Sequence, residues 1–181
     1  ADRKADIQFL LGSDFHLTPH NLTKWQLSPE IAAKCRRCGK HGTFTPLPGV
    51  TVETFPSTDE GVAWMVTVNG QSIFHAGDLN WWHWAEEDLA WNRNMEANFK
   101  RYTEPLRGRR VDLAMLPLDS RLKMDGYLGP NYFLNLMEVR RFLPMHQWED
   151  FAFTDEFLSA YPQFAPITVK IHRDGEFLGE L

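Results

Sequence analysis

From Thr43 to Ala76 the apolar and polar positions follow a β pattern that predicts four successive strands, 43–47, 50–55, 61–68 and 72–76. Asn69-Gly70 joins the last two, and because both residues tolerate positive φ the pair predicts a type I′ hairpin. Upstream, Ile7 to Leu11 reads as a buried strand ending at Gly12, followed by a polar loop, Ser13 to Leu27, that carries Asp14, His16 and His20. Ser28-Pro29-Glu30 reads as an N-cap with proline at the first helical position, and Cys38-Gly39-Lys40-His41-Gly42 keeps that helix short. Beyond residue 85 the period becomes helical, with Leu89, Met95 and Phe99 on related faces of a helix over 86–102 that Pro105 ends. Val111 to Leu116 is a short apolar run of the kind a strand covered on both faces shows. A helix over 131–141, a strand over 142–145, a helix over 154–161 capped by Thr154 and a closing hairpin of 167–171 with 176–178 around Asp174-Gly175 complete the pattern. A β-meander followed by alternating helix and strand, without repeat or linker, predicts one mixed α/β (α+β) domain over 1–181.

Composition narrows the classes. With 181 residues, 43% hydrophobic and a formal charge of -5, the chain has the apolar content to fold, and no apolar run approaches the roughly 18 residues that cross a bilayer. Lys and Arg are scattered apart from Arg107, Arg109 and Arg110, so charge gives no footprint for nucleic acid. The first residues lack the basic and apolar regions of a secretion signal, and two cysteines in the spacing CRRC make no disulfide framework, which together point to the cytoplasm. A strand-like run within the first dozen residues, with no initiator Met, suggests a piece of a longer protein.

The densest candidate chemistry is Ser72 to Trp84, SIFHAGDLNWWHW. An apolar strand runs into His75, then Gly77-Asp78, then tryptophans around His83. Glycine beside an acid at a strand end lets the backbone turn sharply while the carboxylate projects over the sheet edge, where a metal or substrate can sit. His146, in PMHQW, also follows a buried strand; Asp59, in the turn 56–61, and Asp119, in LPLD, are further acids at strand ends. Such groups at the ends of strands in one sheet point to an edge-of-sheet site. Cys35, Cys38 and His41 offer three soft ligands where a structural zinc needs four, so a zinc-ribbon-like adaptor is a lesser alternative.

SIFHAGDLNWWHW, with STDEGVAWMVTVNG upstream and MLPLDSRL and PMHQWED downstream, resembles the metallo-β-lactamase fold hydrolases, in particular small bacterial enzymes similar to the ascorbate-phosphate lactonases, over about Thr43 to Trp148. The resemblance implies a portion of a four-layer αββα sandwich with a dinuclear zinc, manganese or iron site at one edge. It assigns the bridging carboxylate to Asp78 and the last histidine ligand to His146. The family's HxHxDH signature is absent from the chain, and Asp14-Phe15-His16 with His20 imitates it poorly. Its middle histidine is missing too, with Thr58 and Asp59 near that place. The expectation is therefore the C-terminal part of a longer metallo-β-lactamase-like domain.

On this reading the chain hydrolyses an ester, lactone or phosphodiester of a small-molecule substrate through a metal-activated water. His75 and His83 would orient a ligand or pass a proton, Asp59 would face the site, and Trp81, Trp82, Trp84 and Trp148 would wall it. The alternative is a metal-free binding or interaction module on the same fold. A sheet left without its cover would pair with a second copy or a partner chain.

Overall fold

The fold is that of a computed structural model, which describes residues 9–12 and 28–179. A sheet of six strands dominates it, in the order β10-β8-β6-β5-β4-β3. Four of these, β3 (Thr43–Leu47), β4 (Val50–Pro56), β5 (Val62–Val68) and β6 (Gln71–His75), form the antiparallel meander read from the sequence. Asn69 and Gly70 take φ of 50° and 84° in the hairpin that sets Val68 opposite Gln71, as the type I′ turn requires. The remaining strands, β8 (Leu113–Pro117) and β10 (Phe142–Met145), run parallel to β6, so β6, β8 and β10 end at one edge, together with β4. A short strand β1 (Phe9–Leu11) pairs in parallel with β2 (Cys35–Arg37).

Three helices cover one face of the sheet. The first of them, α2 (Leu89–Thr103), starts where the Asp88 carboxylate accepts from the Trp91 N–H at 2.7 Å; α1 is the short helix Pro29–Ala33, capped by Ser28 as expected. With α3 (Leu128–Leu136) and α4 (Phe153–Ala160), α2 encloses a core in which Met65, Phe74, Ala114 and Phe142 from the sheet meet Phe99, Phe133 and Phe157. Phe74 and Phe133 stack with ring centroids 4.8 Å apart. On the opposite face Trp64, Val66, Leu113 and Met115 are half-buried, and Ile73 is 42% exposed. The sheet thus carries an apolar second face that the described residues do not seal as they seal the first.

Several expectations are corrected. The run 111–116 is not one strand: Ser72 and Asp112 grip one another, through Ser72 N–H to Asp112 Oδ2 at 2.9 Å and Asp112 N–H to Ser72 O at 3.0 Å. That kink sends β7 (Arg110–Val111) to pair with β9 (Glu138–Val139) instead. The helix expected over 131–141 is α3 at 128–136, with Gly129 and Pro130 in its first turn, where a missing N–H costs no intrahelical bond. Thr154 does not cap α4 but lies within it, its hydroxyl accepting from Gln147 Nε2 at 2.6 Å. No closing hairpin forms. Residues 167–169 lie alongside β10, with Phe142 N–H donating to Ile167 O and Val169 N–H to Phe142 O, and His172 N–H turns to the Glu176 carboxylate.

Candidate functional site

Because β4, β6, β8 and β10 end together, the turns that follow them meet at one edge of the sheet. After β6 the chain reverses at Gly77, whose φ of +55° suits glycine, and whose N–H donates to His75 Nδ1 at 3.0 Å. Asp78 then projects from the edge. The loop behind it is fixed by residues that look unremarkable in sequence. Thr58 Oγ1 donates to Asn80 O at 2.7 Å and accepts from Asn80 N–H at 3.0 Å. The Trp82 indole donates to Asp78 O at 2.9 Å, and Asn92 of α2 clasps Trp84 N–H and Trp84 O with its carboxamide.

At the end of β10 the backbone is left-handed at His146, Trp148 and Glu149, with φ of 59°, 48° and 66°. Such conformations are costly for residues with side chains and cluster where a side chain must be aimed. Here His146 is aimed at Asp78: Nε2 lies 3.1 Å from Asp78 Oδ1. The other ring nitrogen, Nδ1, is buried with no hydrogen-bond partner among the described residues, and Asp119 Oδ2 is 3.8 Å from it. Trp82 lies against the imidazole, centroid to centroid 5.7 Å.

Asp119, at the end of β8, is wholly buried. Its carboxylate accepts from Arg121 Nε at 2.9 Å, Arg121 Nη2 at 2.6 Å, the Arg121 backbone N–H at 3.0 Å and the Trp148 indole at 3.2 Å. Burial alone would raise its pKa, but these bonds outweigh it and hold the carboxyl below the usual carboxylate value. His75 shifts the other way from what a neighbouring acid would do. Burial lowers its pKa and outweighs the fields of its own backbone and of Asp78, while His146 adds to the lowering.

The neutral His75 sets a pH dependence. Its folded pKa lies below the ordinary imidazole value of 6.5, so the stability it contributes is complete above 6.5 and declines as pH falls through the lower folded value. Urea midpoints measured between pH 7 and pH 5 should fall, and His75→Gln should fall less steeply over the same range.

The structure joins Asp78 and His146 directly and sets His75 within their field. Asp59 is exposed, and it is Thr58 beside it that turns inward. His83 is half-buried, and no hydrogen bond or ion pair among the described residues joins it to Asp78 or His146. Asp14, His16 and His20 lie outside the described residues. Trp81 does not wall the site: it packs on the core against Phe99 and Tyr132, with Lys100 over its ring at 4.6 Å. At CRRC, Cys38 is buried with its thiol pushed up by burial and its Sγ 3.8 Å from Arg36 O, while Cys35 Sγ points to Ile31 O and His41 is exposed. CRRC is strand β2 and the residue after it, whose N–H continues the pairing with β1 by donating to Leu11 O at 2.7 Å.

The fit to a metal is partial. Asp78 and His146 have the proximity that two donors to one ion adopt, and an imidazole with an acid near its second nitrogen is the usual arrangement of a ligating histidine. Among the described residues, however, no group of three His, Cys, Asp or Glu is placed to hold an ion, and a catalytic zinc uses three protein ligands.

No protein-family model matches the chain, and no curated protein matches it in sequence. Solved structures do. One is a protein of Parabacteroides distasonis provisionally named a metal-dependent hydrolase, at 14% identity and a TM-score of 0.56, covering 90% of this chain and 74% of that one. Another is CmlA, a diiron β-hydroxylase from Streptomyces venezuelae, at 8% identity and a TM-score of 0.57, covering 91% of this chain and 38% of that one. A more distant neighbour, from Thermotoga maritima and provisionally named a zinc-dependent hydrolase of the metallo-β-lactamase superfamily, has 16% identity and a TM-score of 0.37 over 62% of this chain and 49% of that one. Among the described residues no helix is long and apolar enough to cross a membrane. At such identities the likeness is one of fold, and the chain has the mixed α/β fold that the order of its elements predicts.

Proposed function

We propose that the chain forms part or all of a metal-dependent hydrolase of the metallo-β-lactamase type, acting on an ester, lactone or phosphodiester bond of a small molecule in the cytoplasm. The observation that carries this reading is the 3.1 Å approach of Asp78 Oδ1 to His146 Nε2 at the edge where four strands end, on a backbone strained to bring it about. Asp78 and His146 would hold zinc, manganese or iron, two ions in the full site, with further donors from beyond the described residues or from a partner chain. Bound there, an ion supplies a water acidified to near neutral pH and a Lewis acid for the scissile oxygen. The chain's own groups do the rest. Trp82 keeps one side of the imidazole dry and fixes its plane. His75 accepts from Gly77 through Nδ1, so its proton resides on Nε2, where the neutral imidazole can hydrogen-bond a leaving oxygen and orient it.

The absence of a third donor among the described residues favours a second reading, a binding module of the same fold that takes no metal. Plasma mass spectrometry decides between them. One or more ions per chain, lost in Asp78→Asn and in His146→Ala, is the result expected of the hydrolase. No metal above background after purification and after incubation with zinc, manganese or iron would leave the binding module.

A further inference from the structure

Arg121 does more than its sequence position advertises. It follows β8 by a few residues, and its guanidinium is fixed on all but one side. Nε and Nη2 are locked onto the buried carboxylate of Asp119. Its carbon Cζ lies over two indoles, 4.7 Å from the Trp148 centroid and 5.5 Å from the Trp84 centroid. Of the five N–H donors a guanidinium carries, those of Nη1 bond to no described residue, and the side chain is 49% exposed. The same Asp119 oxygen that takes Arg121 Nη2 lies 3.8 Å from His146 Nδ1, so one buried carboxylate stands between the guanidinium and the imidazole of the Asp78–His146 pair.

A long cation held this way has lost its rotamer freedom before any ligand arrives, so an anion binding it does not bear that ordering cost. The fork geometry suits planar or tetrahedral oxyanions, which take charge-assisted bonds from Arg. The cavity that His146 and Trp148 line also holds Glu149 and Arg173, in a chain of net charge -5. Arg121 is the cation that Asp119 and two indoles hold in a fixed position, so it presents an anion with a preset donor. We infer that Arg121 is a specificity-determining anchor for an oxyanion of the substrate, a carboxylate or a phosphate, with Trp148 as the apolar wall beside it. This rests on the hydrolase reading for what happens next at Asp78 and His146, but the binding itself does not.

The test uses chelator-treated protein titrated with inorganic phosphate and, separately, with acetate, followed by tryptophan fluorescence, since Trp84 and Trp148 flank the guanidinium. A saturable response is expected, weakened about tenfold or more in Arg121→Gln. A response to phosphate alone identifies a phosphate ester as the substrate class, and to acetate alone a carboxylate. Because Arg121→Gln leaves Asp119 with a weaker partner, a second measurement on the wild-type chain accompanies it: the assigned Arg121 Nε–H resonance should shift along the same binding curve. Equal affinity in Arg121→Gln, an unmoved Nε–H resonance, or no saturable response in the wild type overturns the anchor. Asp78→Asn, expected to lose metal, should keep the anion response. A response together with no metal before chelation or after reloading with zinc, manganese or iron leaves the anchor standing and the hydrolase reading refuted; metal without a response does the reverse.

Discussion

Gly129→Ala is expected to lower stability by about 3 kcal/mol or more, which for a chain of this size is a fall in Tm of roughly 6–12 °C. A Cβ at this position, in the first turn of α3, would overlap the carboxamide oxygen of Asn80 and stand 3.0 Å from Asn80 Cγ and 3.3 Å from Trp81 N. Asn80 cannot readily move away. It is 2% exposed, and its backbone N–H and carbonyl are both held by Thr58. The clash would thus be relieved by displacing α3 or the loop that carries Asp78, and either movement disturbs the site along with the core. Thermal unfolding by circular dichroism measures the first effect, and the metal content of any folded fraction measures the second. A Tm within 2 °C of the wild type would show that the Gly129–Asn80 approach is not as tight as described.

Asp119→Ala is expected to cost about 2–4 kcal/mol and to disorganise the site even where the chain still folds. The carboxylate ties together the Arg121 side chain, the Arg121 backbone N–H and the Trp148 indole, and it is fully buried. Its removal leaves those donors to find water. Arg121 can do so, being half exposed, which keeps the cost below that of orphaning a buried charge. Trp148 is different: its indole bond is one of the contacts that sustain a backbone φ of +48° on a side chain 64% exposed. The expected signature is a denaturant midpoint shifted down, together with a red-shifted tryptophan emission as Trp148 swings out. Asp119→Asn, which keeps the shape and loses the charge, should cost less in stability. A midpoint unchanged in Asp119→Ala would mean that the cluster is an ornament of the surface rather than a support for His146.

The fold was legible where the signal was local. The meander from Thr43 to His75 follows from a β pattern and from Asn69-Gly70, and Ser28 declares its helix by capping, whereas the cap at Asp88 starts α2 three residues later than the helical period suggests. What escaped was decided by partners far away in sequence. Asp112 breaks its strand because Ser72, forty residues earlier, offers both a donor and an acceptor. Thr154 has the chemistry of a cap but is claimed by Gln147. The 167–178 segment has hairpin-like turn residues, yet its apolar half gains more by lying beside β10. At the site, Asp78 and His146 were legible because strand ends announce themselves, whereas Arg121 gave no signal: an arginine two residues after an acid is ordinary until the fold places tryptophans on it. Trp81 and Trp82, adjacent in the chain, take opposite fates, core and site, and only the turn at 77–80 decides which is which.

The left-handed turn after β10 also bears on how this protein would change under selection. His146, Trp148 and Glu149 occupy a backbone region that glycine or asparagine would enter at lower cost. A population selected only for thermal robustness should accumulate replacements there early, relaxing the turn and letting the imidazole drift from Asp78. Retention of bulky residues at these positions among descendants would mark a lineage in which the sheet edge is still in use, and their drift to glycine would mark one in which the scaffold has outlived its chemistry.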